Sequence, residues 1–142
     1  MVELIIVIAI IAILAGAIFV AIDPARRLHE TRNARRSSDV VIILDSLIKY
    51  QADNDGAHYV TVQGLTADAY YAIGTDTTGC NTTCTAQTTQ AACADLSAIP
   101  GNYLSAIPMD PSTGTVENTD YYISKRSTGS LAPDRCPRCR QS

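Results

Sequence analysis

A chain of 142 residues holds one globular domain and is too short for two. Its 11 basic and 14 acidic residues leave a net charge of −3, which argues against the whole surface serving as a nucleic-acid binder. The 46% hydrophobic content is unevenly spread: Ile and Val crowd the first 48 positions, while Thr, Ser, Asp, Gly and Ala dominate from residue 51 onward, so the architecture is bipartite.

The first element is MVELIIVIAIIAILAGAIFVAI, a lone carboxylate at Glu3 followed by nineteen uncharged residues, Leu4 to Ile22. As a helix that run is about 28 Å long, close to the hydrocarbon thickness of a bilayer. A secretory signal has a shorter apolar core, a basic segment ahead of it and a small-residue cleavage site behind it. Here nothing basic precedes the run, which passes directly into Asp23-Pro24. An ordinary signal anchor holding a domain at a membrane surface is one reading that the hydropathy allows.

Pro24 is tolerated in the first turn of a new helical segment with Asp23 as its N-cap, or kinks a continuous helix. No Pro or Gly follows before Gly56, and Val40, Ile43, Leu44, Leu47 and Tyr50 recur at three- and four-residue spacing. One helix from about residue 3 to about 53 is expected, bent near Pro24, with Val40, Ile43, Leu44 and Leu47 under the domain's own sheet. Such a rod is about 75 Å long, more than a domain of this size can cover, so its first half needs other neighbours: lipid, or copies of itself. In a bundle of copies Glu3 would pair with the N-terminal amine of an adjacent chain and set the register of the rods, because a carboxylate among apolar groups demands a cation or several donors. Alternatively Glu3 lies in the headgroup zone as part of a polar flank.

The stretch Val2-Glu3-Leu4-Ile5-Ile6-Val7-Ile8-Ala9-Ile10-Ile11-Ala12-Ile13-Leu14-Ala15 resembles the N-terminal signature of type IV pilins and of the related pseudopilins of type II secretion. The resemblance implies a leader cut off by a prepilin peptidase, a methylated new N-terminus, residence in the inner membrane before assembly, and extraction by a separate ATP-driven machine into a helical homopolymer. It implies an extracellular surface fibre, of a kind used in motility or adhesion. Glu3 would then assist assembly, and Leu4, Ile5, Ile6, Val7, Ile8, Ile10, Ile11, Ile13, Leu14, Ile18 and Phe19 would form the filament core. In the family the glutamate stands fifth in the mature chain; here it is third, so the chain either lacks the leader and two mature residues or has an unusual start. Met1 is therefore not taken as the methylated residue. Val20 stands where the family often carries its helix-breaking proline, leaving Gly16 and Pro24 as the places where the helix would bend.

Arg26, Arg27, Arg32, Arg35 and Arg36 form a basic cluster beside Glu30, Asp39 and Asp45. On the pilin resemblance they contact lipid headgroups before assembly or acids of neighbouring subunits afterwards; a solvated charged face is the alternative. Beyond the Asx- and Gly-rich stop at "ADNDG", "HYVTV" at 58–62 alternates as a strand does, and "TADAYYAIGT" is ambiguous between strand and turn. The prolines of "LSAIPGNYLSAIPMDPSTG" mark a connection and not a sheet interior. A hairpin is expected from Tyr121 to Ser124 and Ser130 to Ala132, joined through Ser127-Thr128-Gly129. The Pro108-Met109-Asp110-Pro111 segment followed by Tyr121-Tyr122 is also similar to pilin and pseudopilin sequences.

All five cysteines, Cys80, Cys84, Cys93, Cys136 and Cys139, lie beyond residue 79, which suits an oxidising compartment and structural disulfides that bond the C-terminal end back to the Thr-rich loop. Cys136-Pro-Arg-Cys139 also has the spacing of half a zinc site or of a redox pair. Five is odd, so at least one thiol is free or intermolecular. The loop at 74–94 has little to bury and belongs on the surface, where Asn81-Thr82-Thr83 is a glycosylation sequon. Asp110, Glu117 and Asp120 resemble the calcium loop of some pseudopilins without a recognised ligand spacing. Lys125, Arg126, Arg135, Arg138 and Arg140 form a basic group near the C-terminal end with which nucleic acid could be touched. His29 and His58 are the two histidines, and neither a nucleophile motif nor a phosphate loop accompanies them, so no catalysis or cofactor is expected.

The expected protein is α+β: a long N-terminal helix packed on a small antiparallel sheet, with an apolar segment 1–24, an amphipathic segment 25–55 and an outer domain 56–142. Its expected role is major subunit of a type IV pilus-like filament. The rivals are a pseudopilin, a minor pilin and a monomeric membrane-anchored binding module.

Overall fold

The computed structural model describes residues 2–82, 84 and 87–136. Two helices come first, α1 (Val2–Ile22) and α2 (Pro24–Asp53), then a one-turn helix α3 (Val60–Gln63) and strands β1 (Tyr70–Ala72), β2 (Tyr121–Lys125) and β3 (Leu131–Arg135). The strands form one antiparallel sheet in the order β1-β2-β3. The fold is thus α+β, a long interrupted N-terminal helix with a small antiparallel sheet. The chain divides into two compact units between Ala34 and Arg35.

In the first unit the helix is interrupted at one residue. Asp23 takes a left-handed conformation (φ 42°) ahead of Pro24, and its Oδ1 accepts the N–H of Arg26 at 3.4 Å, the N-cap that the sequence predicts. Gly16, expected to bend the helix, lies inside the unbroken α1; a proline that removes a donor interrupts a helix where a glycine only loosens it.

The second unit is built around the inner face of the C-terminal part of α2. Ile43 and Leu47 are fully buried, joined by Tyr59, Val62, Leu65, Ile73, Leu96, Ile99, Tyr121 and Ile123 in one apolar core. Val40 and Leu44 are half-buried beside them. The helix stops where the Asx-Gly run predicts: Asp55 and Gly56 have φ of 53° and 85°, and the Gly56 N–H closes back on the Gln51 carbonyl at 2.9 Å.

Residues 58–62 are not a strand. Gln63 N–H bonds the Tyr59 carbonyl at 2.9 Å, and the buried positions are Tyr59, Val62 and Leu65, a three-residue spacing that only a helical turn can turn inward. The ambiguous "AYYA" resolves as β1, paired Tyr71 to Ile123. The expected hairpin forms with Lys125 opposite Leu131, Arg126 N–H bonding the Ser130 carbonyl at 2.8 Å and Gly129 at φ 84°. The proline-punctuated connection carries no strand between 96 and 114, yet it contributes Leu96, Ile99 and Leu104 to the core.

Candidate functional site

Two features of this chain demand a partner or do work inside the fold: the surface of α1 and a polar clamp in the second unit. All 21 residues of α1 are exposed, with aliphatic side chains distributed around its whole circumference, so no face is set aside for water. By length and composition α1 suffices to cross a bilayer. The expected filament-core residues Leu4, Ile5, Ile6, Val7, Ile8, Ile10, Ile11, Ile13, Leu14, Ile18 and Phe19 all stand more than half exposed on it, and Glu3 is exposed in its first turn.

The basic cluster does not act as one group. Arg26 pairs with Glu30 at 3.1 Å one turn along the helix, both well exposed, a geometry worth about 0.3–0.5 kcal/mol. Arg27, Arg32 and Arg35 are exposed. Arg36 departs from the expectation of an inter-subunit or headgroup charge: it turns inward and makes a two-pronged pair with Asp110 of its own chain, through Nε and through Nη2 at 3.0 Å. The reason lies in Asp110, a buried carboxylate that is costly to keep charged without a cation.

Asp110 also accepts the backbone N–H groups of Ser112 (2.8 Å) and Thr113 (3.3 Å), which fixes the turn that follows. Burial alone would raise its pKa; the guanidinium and the two N–H donors outweigh that and hold the carboxyl below the usual range. One turn further along α2, buried Asp39 accepts the hydroxyl of fully buried Tyr121 at 2.8 Å. Burial and the neighbouring Asp39 carboxylate push the Tyr121 phenol up. Asp120, in a left-handed conformation (φ 61°) at the entry to β2, accepts the Thr113 hydroxyl. Two helix positions three residues apart therefore seize the sheet and its preceding loop.

This clamp bears on the calcium expectation. Asp110 offers its oxygens to an arginine and two amides, and a dication beside that guanidinium would be repelled. Among the described residues no group of three or more His, Cys, Asp or Glu is placed to hold a metal. An apolar pocket of about 230 Å³ between Ile107, Met109 and Val116 also has Thr119 in its lining, and the hydroxyl of that residue is donated to the Ile73 carbonyl at 2.8 Å.

The cysteines pair as Cys80–Cys93 and Cys84–Cys136, with Cα atoms 5.5 and 5.3 Å apart, well inside disulfide range. The second bond ties the residue after β3 back to the Thr-rich loop, and it takes Cys136 out of any thiol or zinc role. Cys139, Arg138, Arg140 and Met1 lie outside the described residues. Asn81 is exposed in a turn, while Thr83 of its sequon is outside the described residues. Lys125, one of the basic residues considered for nucleic acid, gives its ammonium to the Gln63 carbonyl at 2.7 Å.

The sequence reading passed over Asp39 and Tyr121 as a pair. A signal existed: Asp39 precedes Ile43 by four residues and Leu47 by eight, so helical spacing alone places it on the buried face. No family model matches the chain, and no curated protein and no solved structure matches it.

Proposed function

We propose that this chain is the major structural subunit of a type IV pilus-like extracellular filament, polymerising through α1. The observation that carries this is the surface of α1: aliphatic on every side, with none of its own residues buried, and continued by a helix whose far part is seated in a small disulfide-bonded domain. Water is an impossible permanent neighbour for that surface. At about 25 cal/mol per Å², its burial against other copies is ample drive for association.

The sequence signature supplies the rest. Before assembly the inner membrane shelters α1, a prepilin peptidase processes the chain, and an assembly machine withdraws it into the polymer. Glu3, in the first turn of α1, sets the register of one rod on the next, and exposed Arg26, Arg27, Arg32 and Arg35 face headgroups first and acids of neighbouring subunits later. The domains form the coat, and glycosylation at exposed Asn81 would lie on it.

A second reading, a domain anchored singly in a membrane, is favoured by the bilayer-spanning length of α1. Microscopy of sheared cell-surface material, with mass spectrometry of the dominant band, separates the two. Fibres composed mainly of this chain support the filament; a chain that stays in the membrane fraction as a monomer overturns it. Fibres in which this chain is scarce would make it a minor subunit.

A further inference from the structure

A sheet of three strands has two edges, and a bare edge is a template for a strand of another chain. Register decides which backbone groups look outward. Ile73 N–H donates to the Tyr121 carbonyl at 2.8 Å and Asp68 N–H to the Lys125 carbonyl at 2.7 Å, so residues 121, 123 and 125 direct their backbone groups toward β1. Tyr122 and Ser124 then direct theirs toward their β3 partners Asp134 and Ala132. Leu131, Pro133 and Arg135 are left facing the outer side, where no strand of the described residues pairs with them.

The β1 edge is covered from within. The Tyr70 and Ala72 carbonyls accept the N–H groups of Gln90 and Ala94 at 2.8 and 2.7 Å, from the end of the loop that Cys80–Cys93 closes. The β3 edge is stripped of donors instead. Pro133 has no N–H to offer, and the Arg135 N–H is taken by Asp134 Oδ1 at 2.7 Å. Among the described residues, Leu131 alone keeps an outward donor. The proline costs the sheet nothing where it stands, since Ile123 and Pro133 face each other as a non-hydrogen-bonded pair; at 132 or 134 it would break a ladder bond.

We infer that Pro133 and Asp134 close the free edge of β3 to strand addition, so that copies of this domain meet through side chains and never by extending one another's sheets. This holds whether the chain forms a filament or stands alone in a membrane. The two closures are of different kinds, one covalent and one a side-chain acceptor, and they act on adjacent outward positions.

The test uses the full chain in detergent micelles, with P133T, D134A and the double variant, read by infrared absorption of intermolecular β-sheet and by light scattering. Restoring one outward donor is expected to speed sheet-mediated association about fivefold, and the double variant to exceed either single one. Association of the double variant no faster than that of the unsubstituted chain overturns the inference. Hydrogen exchange of the unsubstituted chain decides it independently of how the variants fold. The Leu131 amide is expected to exchange as fast in concentrated or polymeric material as in dilute micelles, and its protection on association would contradict a closed edge.

Discussion

Replacing Arg36 by methionine isolates the clamp. The Arg36 side chain is one quarter exposed, at 24%, whereas that of Asp110 is only 7% exposed, so the two ends of the pair suffer differently from loss of the other. Without Arg36 the Asp110 carboxylate stays buried with two backbone donors and no cation. Breaking buried pairs costs about 3–5 kcal/mol, and the two surviving N–H bonds place R36M near the lower end, about 3 kcal/mol. D110N leaves a guanidinium that water can reach and should cost less, about 1–2 kcal/mol. The sign with pH follows from the depressed Asp110 pKa. Its contribution is fully present above the ordinary aspartate value of about 3.9 and is lost as pH falls through the lower folded value. In R36M the buried carboxyl protonates more readily, so the penalty shrinks between pH 7 and pH 3. Urea unfolding followed by tyrosine near-UV dichroism is the assay. All seven tyrosines lie from residue 50 onward, so the signal reports on the second unit, and urea leaves the ion pair unscreened. An R36M chain within about 0.5 kcal/mol of the parent at pH 7, or a penalty that does not change with pH, would refute the reasoning.

Other outcomes are expected from neighbouring features. Serine at Cys84 or Cys136 opens a loop of sequence separation 52 and should cost about 4 kcal/mol by the loop-entropy argument, seen as a lowered melting temperature that reductant lowers further only through the remaining Cys80–Cys93 bond. Alanine at Gly74 drives a Cβ into the Glu117 backbone and should abolish folding. At Gly16 a Cβ meets nothing within 4 Å, so G16A should raise helicity by about 1 kcal/mol, and circular dichroism distinguishes the two cases. Substituting Glu3 by alanine should leave the domain's melting unchanged and sharply lower the yield of polymer; undiminished polymer would remove Glu3 from register setting.

What was legible in the sequence is what local chemistry decides. Asp23-Pro24 marks the helix interruption, Asp55-Gly56 the helix stop and Gly129 the hairpin turn, because each needs only its neighbours to act. The segment at 58–62 misled because its alternation is as short as a single helical turn, and core contacts chose between the two periods. Arg36 and Asp110 are 74 residues apart, and no local pattern announces that a residue in a basic run will turn inward to a carboxylate brought in by the fold. A disulfide from the C-terminal end to the Thr-rich loop was expected and forms as Cys84–Cys136, but the choice of partners among the cysteines was hidden, as was the way that surface loop supplies Gln90 and Ala94 to cover the edge of β1.

The central claim concerns where α1 resides once the protein is at work. A structure of the purified surface polymer addresses it directly. It should contain the segments from Leu4 to Ile22 of different subunits packed on one another along the axis, out of water and out of lipid. A polymer whose axis holds no such helices, or a chain recovered solely as single copies with α1 in a bilayer, would contradict it.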